Sequence, residues 1–252
     1  MTKTTIITLI TGANRGMGLE IAKELALKGQ QVILGSRDLQ KGQAAQKQLA
    51  AANISVDVLQ LDVTDPTSVR QAAAAITSKY GYLSILINNA GAVFDARKKP
   101  SEILQSALRA DFDLNYFGLI DVNQQLLPLL KKAPQAKIIN ISSMMGSIGN
   151  ALNPKSEVYQ ASAVGYQSSK AALNMYTVQL AKELQQAGLP ITVNAIDPGM
   201  VATEFGGVTP DQAKAMGAKP VDFGVAQTVA LATDPDNQST ATFTNTHGPV
   251  AW

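Results

Sequence analysis

Cysteine is absent from the 252-residue chain, which removes disulfides, thiolate metal sites and a cysteine nucleophile at once. Histidine is nearly absent. The single His247 lies near the C-terminal end in a stretch rich in threonine, asparagine and glycine, so it reads as a surface or turn residue rather than the base of a Ser-His-Asp triad. Charge is sparse and balanced: 16% of residues are charged, the formal net charge is +2, and no block of five basic residues occurs. That balance argues against nucleic acid as a partner. No apolar run approaches the roughly 18 residues that span a bilayer. The N-terminus leads straight into an apolar strand with no cleavable leader pattern. The expectation is a cytoplasmic protein with no membrane partner and no metal.

What is present is a globular composition, 46% apolar, at a length that suits one α/β domain over residues 1–252. Short β-branched runs alternate with helical patterns throughout. Strands are expected over 5–11, 31–35, 56–63, 83–88, 137–142 and 191–196, with a seventh over 240–245. Helices are expected over 16–28, 39–52, 66–80, 166–187 and 222–233, and residues 101–132 read as two successive helices or one long bent one. This alternation predicts a Rossmann-like, doubly wound parallel sheet of about seven strands with helices on both faces. Two loops, 144–165 and 198–219, are long enough to carry function.

The first strand runs into Gly12-Ala13-Asn14-Arg15-Gly16-Met17-Gly18 and then a helix. A helix N-terminus offers unpaired N–H groups and partial positive charge, and glycines permit close backbone approach, so this segment suits a pyrophosphate. At the end of the second strand an acidic residue would accept the ribose 2′-hydroxyl of NAD. Here Ser36 takes that place, followed by Arg37, and Arg15 can reach the same point from the glycine turn. Two guanidinium groups and a hydroxyl favour the 2′-phosphate of NADP(H), by about a hundredfold for two imperfect charge-assisted contacts. Asp38, one residue further on, suits a helix cap.

Taken in order, these and later motifs resemble the short-chain dehydrogenase/reductase family. Thr11 to Gly18 is similar to its TGxxxGxG turn. Asn88-Asn89-Ala90-Gly91 matches NNAG, Tyr166-Gln-Ser-Ser-Lys170 matches YxxxK, and Pro198-Gly199 with Thr203 resembles PGxxxT. The resemblance implies that Asp62 and Val63 contact the adenine, and that Asn89, Ala90, Gly91, Pro198, Gly199, Val201 and Thr203 help hold the cofactor. It implies a catalytic set of Asn115, Ser143, Tyr166 and Lys170. Tyr166 would donate the proton, Ser143 would orient the substrate oxygen, and Lys170 would bind the nicotinamide ribose. Asn115 would hold a water linking Lys170 to solvent. Residues 32–48 and the terminal Trp252 resemble NADPH-dependent carbonyl reductases in particular. Ser143 and Tyr166 are 23 positions apart, further than in many relatives, which marks an extra segment around 150–162.

The chemistry fits those residue types. An ordinary tyrosine holds its proton to about pH 10. A lysine four residues on shares its helical face and would favour phenolate. Lined by Phe94, Met144, Met145, Tyr159, Met200 and Phe205, the pocket would take a neutral ketone, aldehyde or secondary alcohol. Arg97 is the nearest cation for an anionic substrate. Two alternatives stay open: a 3-oxoacyl-carrier-protein reductase, with Lys131, Lys132 or Arg97-Lys98-Lys99 docking the carrier, and a non-catalytic NADP-binding protein. The helices over 101–132 and 166–187 are apolar on more than one face, and the resemblance implies a homodimer or homotetramer through them.

Overall fold

The computed structural model describes residues 5–95 and 98–252. Eight strands form one sheet in the order β3-β2-β1-β4-β5-β6-β7-β8. They are β1 (Ile7–Thr11), β2 (Gln31–Ser36), β3 (Asp57–Gln60), β4 (Ile85–Asn88), β5 (Ala136–Ile141), β6 (Ile191–Ile196), β7 (Phe243–Asn245) and β8 (Gly248–Pro249). All neighbours run parallel except β7 and β8, where the two-residue return is antiparallel. This is the expected doubly wound sheet with one strand more than anticipated. The order reverses between β1 and β4, which opens a crevice at their carboxyl ends.

Paired apolar residues on the central strands explain why both faces are covered. Leu9, Leu86, Ile138 and Val193 point to one side, where Val69, Ile76, Leu126, Leu130 and Leu184 pack. Ile10, Ile87, Ile139 and Ile196 point to the other, against Ile21, Leu25, Leu49, Val225 and Val229. Successive strand residues alternate in direction, so a continuous apolar run serves both layers. The helices of these layers are α1 (Gly16–Leu27), α2 (Leu39–Ala50), α3 (Pro66–Tyr80), α4 (Gln105–Phe112), α5 (Gly118–Leu130), α7 (Val164–Gln186) and α9 (Val221–Thr233); short α6 (Ile148–Leu152) and α8 (Pro210–Ala215) lie in the two long loops. Caps set several boundaries. Asp38 accepts the N–H of Lys41 at 3.1 Å to start α2, and Asp65 accepts that of Thr67 at 2.9 Å ahead of Pro66 to start α3.

The region read as one bent helix or two is a rod with a wide turn in it. A π-helical segment, Asp113–Phe117, joins α4 to α5. The N–H of Gly118 reaches back to Asp113 O, which admits one extra residue and turns Asn115 inward, where it is buried. No helix among the described residues is long and apolar enough to cross a membrane.

Candidate active site

The crevice begins at Thr11, the last residue of β1. Its hydroxyl accepts the N–H groups of Asn89 and Ala90, both at 3.0 Å. In return, Asn89 Nδ2 donates to Thr11 O at 2.9 Å and Gly12 O at 3.1 Å. The turns after β1 and β4 are thereby stitched together. Gly12 and Gly16 have φ of +64° and +55°, a region that disfavours side chains. A Cβ on Gly18 would stand 2.6 Å from Asn89 Nδ2, so glycine there lets α1 lie against the turn. Arg15 occupies the N-cap of α1 without a side-chain cap, and the first turn holds no acid. The N-terminal N–H groups of Gly16, Met17 and Gly18 therefore have no side-chain acceptor, and Asn14 and Arg15 flank them. A cradle of this kind fits a pyrophosphate.

The region expected to hold the adenosine differs from expectation in two places. Ser36 is fully buried, its hydroxyl donating to Asp38 O at 2.7 Å, and Gly42 of α2 packs onto it. It shapes the turn instead of facing outward, because α2 needs Asp38 in place as its cap. Arg15 forms an exposed side-chain ion pair with Glu204 of the 198–219 loop instead of standing free for a phosphate. Arg37 is exposed beyond β2, and Gln60 donates to its carbonyl. Asp62 accepts from the N–H and hydroxyl of Thr64 at 3.0 and 2.7 Å, shaping the turn after β3. Val63 is buried with its carbonyl against Gly118, where a Cβ would come within 2.6 Å.

Tyr166, Lys170 and Ser143 converge at the carboxyl end of β5. Tyr166 lies in the first turn of α7, which begins two residues before the expected start, and is 7% exposed. Lys170 follows one turn later, its Nζ 5.6 Å from the Tyr166 ring centre and donating to Ile141 O at 2.7 Å. Ser143 starts a short 3-10 turn (Met144–Gly146) and accepts from Met145 N at 3.2 Å. Ser142 is turned away, with Oγ donating to Asn174 at 2.5 Å, so Ser143 is the serine at the site. Burial pushes the Tyr166 phenol well up, opposed by the Ser143 hydroxyl and reinforced by the charges of Asp197 and Asp111. The lysine was expected to pull that phenol down. Instead burial draws Lys170 itself down to about 8, and its ammonium is aimed at a backbone carbonyl. Asn115 spans the β4–α4 loop: Oδ1 accepts from Ala92 N at 3.0 Å, while Nδ2 donates to Ala92 O at 2.9 Å and Ser169 Oγ at 3.2 Å. Both amide hydrogens are committed, so this side chain ties Gly91 and Ala92 to α7.

The 198–219 loop folds over this centre. Gly199 has φ of +69°, Val201 pairs with Lys219 in an isolated bridge, and Thr203 approaches Gly16. Phe205 lies edge-on to Tyr166 with ring centres 5.7 Å apart. Met144 and Met145 are half-buried, and Phe94, Tyr159 and Met200 are exposed. Arg97 lies outside the described residues. The sequence reading passed over two glycines. At Gly146 a Cβ would stand 2.7 Å from the Lys170 backbone, and at Gly165 one would stand 2.5 Å from an Asp111 oxygen. Their signal was a glycine next to Tyr166 and another three residues after Ser143. Among the described residues no cluster of histidine and acids could hold a metal ion.

The chain is similar to known proteins over most of its length. The sequence profile described as short chain dehydrogenase matches residues 6–214. Short-chain dehydrogenase anuI of Penicillium roqueforti is 35% identical over 222 residues, covering 85% of this chain and 86% of that protein. Human retinol dehydrogenase 13 is 34% identical over 79% of this chain, a match that spans 60% of the human protein. The structure of the NADPH-bound carbonyl reductase from chicken fatty liver superposes with a TM-score of 0.84 at 31% identity, covering 99% of this chain and 100% of that one. The chain belongs to the short-chain dehydrogenase/reductase family of oxidoreductases.

Proposed function

We propose that this chain is an NADP(H)-dependent carbonyl reductase or alcohol dehydrogenase. It would act between NADP(H) and a neutral ketone, aldehyde or secondary alcohol, as one domain over residues 1–252. The observation that carries the reading is the meeting of Tyr166, Ser143 and buried Lys170 at the mouth of the glycine cradle. When bound, the nicotinamide cofactor supplies or accepts the hydride.

The chain's own residues do the rest. Gly12 and Asn14 to Gly18 would hold the pyrophosphate, and Asp62 and Val63 the adenine. Asn89 to Gly91, Pro198, Gly199, Val201 and Thr203 would flank the nicotinamide, and Lys170 its ribose. Tyr166 delivers its proton to the carbonyl oxygen, and Ser143 Oγ donates a hydrogen bond that orients that oxygen. A phenol raised by burial stays protonated at neutral pH, as an acid must. Phe205, edge-on to the ring, would shield it from water.

Choice of NADP(H) rests on Arg37, which no acid among the described residues engages, and on the NADPH-bound relative. Arg15 contributes only after exchanging Glu204 for the phosphate. The test is NADPH and NADH oxidation at 340 nm with an aryl ketone, a keto acid of matched size and a sugar phosphate. The neutral ketone with NADPH should win on kcat/KM, and Arg37→Ala should lower the NADPH value about tenfold or more while sparing NADH. Equal use of both cofactors refutes the cofactor choice; an anion winning refutes the substrate class. Phe117 and Met175, 57% and 60% exposed on the rod and on α7, support a homodimer or homotetramer. Sedimentation at the 26.5 kDa chain mass would exclude it.

A further inference from the structure

Two aspartates with no part in the reaction above meet at the start of α7. Asp95, in the loop after β4, and Asp111, near the end of α4, are both 0% exposed. Asp95 Oδ2 accepts the N–H of Gly165 at 3.0 Å, in the first turn of α7. Asp111 Oδ1 accepts the N–H of Phe94 at 3.1 Å, in the loop itself. Both carboxyls close on one point, since a Cβ at Gly165 would lie 2.5 Å from Asp111 Oδ2. The remaining oxygens, Asp95 Oδ1 and Asp111 Oδ2, have no hydrogen-bond partner among the described residues. An unpartnered buried carboxylate is costly, and two together cost more.

We propose that Asp95 and Asp111 share one proton and act as a single positioning unit, fixing the β4–α4 loop onto the first turn of the Tyr166 helix. The proton sits on Asp111 and bridges the two orphaned oxygens. Gly165 immediately precedes Tyr166 and Phe94 lies in the β4–α4 loop, so one pair of carboxyls holds the proposed acid and that loop in register. Its effect on turnover rests on the reading of Tyr166 as the acid; the clamp itself does not.

The surroundings favour that protonation. Burial, foremost, pushes Asp111 up to about 6, with the Phe94 N–H opposing and the Asp95 charge reinforcing. From α7, Tyr166 faces the pair, and the Asp111 charge raises its phenol; Asp197, beyond β6, acts on the same phenol. Lys170 on α7 is turned to Ile141 O. Lys98, Lys99, Arg109 and Asp113 are exposed at the surface. Because the folded value lies above the ordinary 3.8, the proton stabilises the clamp at low pH, and that contribution is lost as pH rises through about 6.

The experiment is amide hydrogen exchange at Phe94 and Gly165, corrected for intrinsic rate, at pH 5 and 7.5. Wild-type protection should fall about tenfold between those values, from the linkage of 3.8 to about 6. Asp111→Asn keeps a neutral donor toward Asp95 and should be protected equally at both pH values. Asp111→Ala should lose protection at both. In parallel, KM for the carbonyl substrate should rise with pH in the wild type and stay level in Asp111→Asn. PH-independent wild-type protection overturns the proposal and requires no variant to fold. So does an Asp111→Asn protein as unprotected as Asp111→Ala. If Tyr166→Phe keeps its turnover while protection follows Asp111 as stated, the catalytic reading falls and the clamp stands.

Discussion

Around Thr11, the side-chain amide of Asn89 and the N–H groups of Asn89 and Ala90 all have partners at 2.9–3.1 Å. Around Tyr166, a phenol and an ammonium are held against their own solvation, and two carboxyl oxygens have no partner among the described residues. The Thr11 side is a closed hydrogen-bond network that fixes a backbone shape. The Tyr166 side stores unfavourable electrostatics, with Phe205 of a half-exposed loop edge-on to the phenol ring. A phosphate cradle has only to be rigid, whereas a proton donor has to be uncomfortable in its resting state.

The strongest way to break that contrast is Tyr166→Phe. It should lower kcat about 10²–10⁴-fold, the usual share of general-acid catalysis, and leave NADPH binding by fluorescence intact. Thr11→Val addresses the other side. It strands two N–H groups and should cost about 1–3 kcal/mol in urea unfolding, with Thr11→Ser much milder. A loss as large from Ser would mean that the hydroxyl is not the stitch.

Lys170→Met should sharpen the contrast by separating stability from activity. Burial lowers Lys170 from 10.5 to about 8, so keeping it charged costs the fold about 3 kcal/mol. Losing its bond to Ile141 O gives back about 1–2 kcal/mol, so the inactive variant should melt higher at pH 7 by about 1–2 kcal/mol. That cost is fully present below about pH 8 and disappears as pH approaches 10.5, so the advantage of Met should shrink over that window. The smallest effect should come from Glu204→Gln. Freeing Arg15 from an exposed ion pair should tighten NADPH by only about two- to fivefold, within the modest range of such pairs.

The alternation of strands and helices was legible because apolar run length and period carry it; α3 has the expected bounds, Pro66 and Tyr80, since a proline opens it and a glycine with φ of +77° closes it. β3 is shorter than its apolar run, because Leu61 and Val63 pack into the core beyond the point where the ladder ends. The π turn over 113–117 leaves no mark in sequence, since one extra residue in a helix does not change its composition. The members of the candidate site were legible as motifs, but their commitments were not. That Arg15 meets Glu204 across 189 positions, and that Asp95 meets the start of α7 across 70, are long-range facts with no local period.

The segment between Ser143 and Tyr166 has a further consequence for anyone reshaping substrate range by randomised libraries. Gly146 and Gly165 bracket it, and any side chain at either would collide with the Lys170 backbone or with Asp111. Between them, Ile148, Leu152 and Tyr159 stand in the open. The two glycines act as fixed hinge pins of an otherwise permissive panel. Diversity introduced between the pins should yield folded clones with altered selectivity, whereas diversity at the pins should populate the library with dead ones.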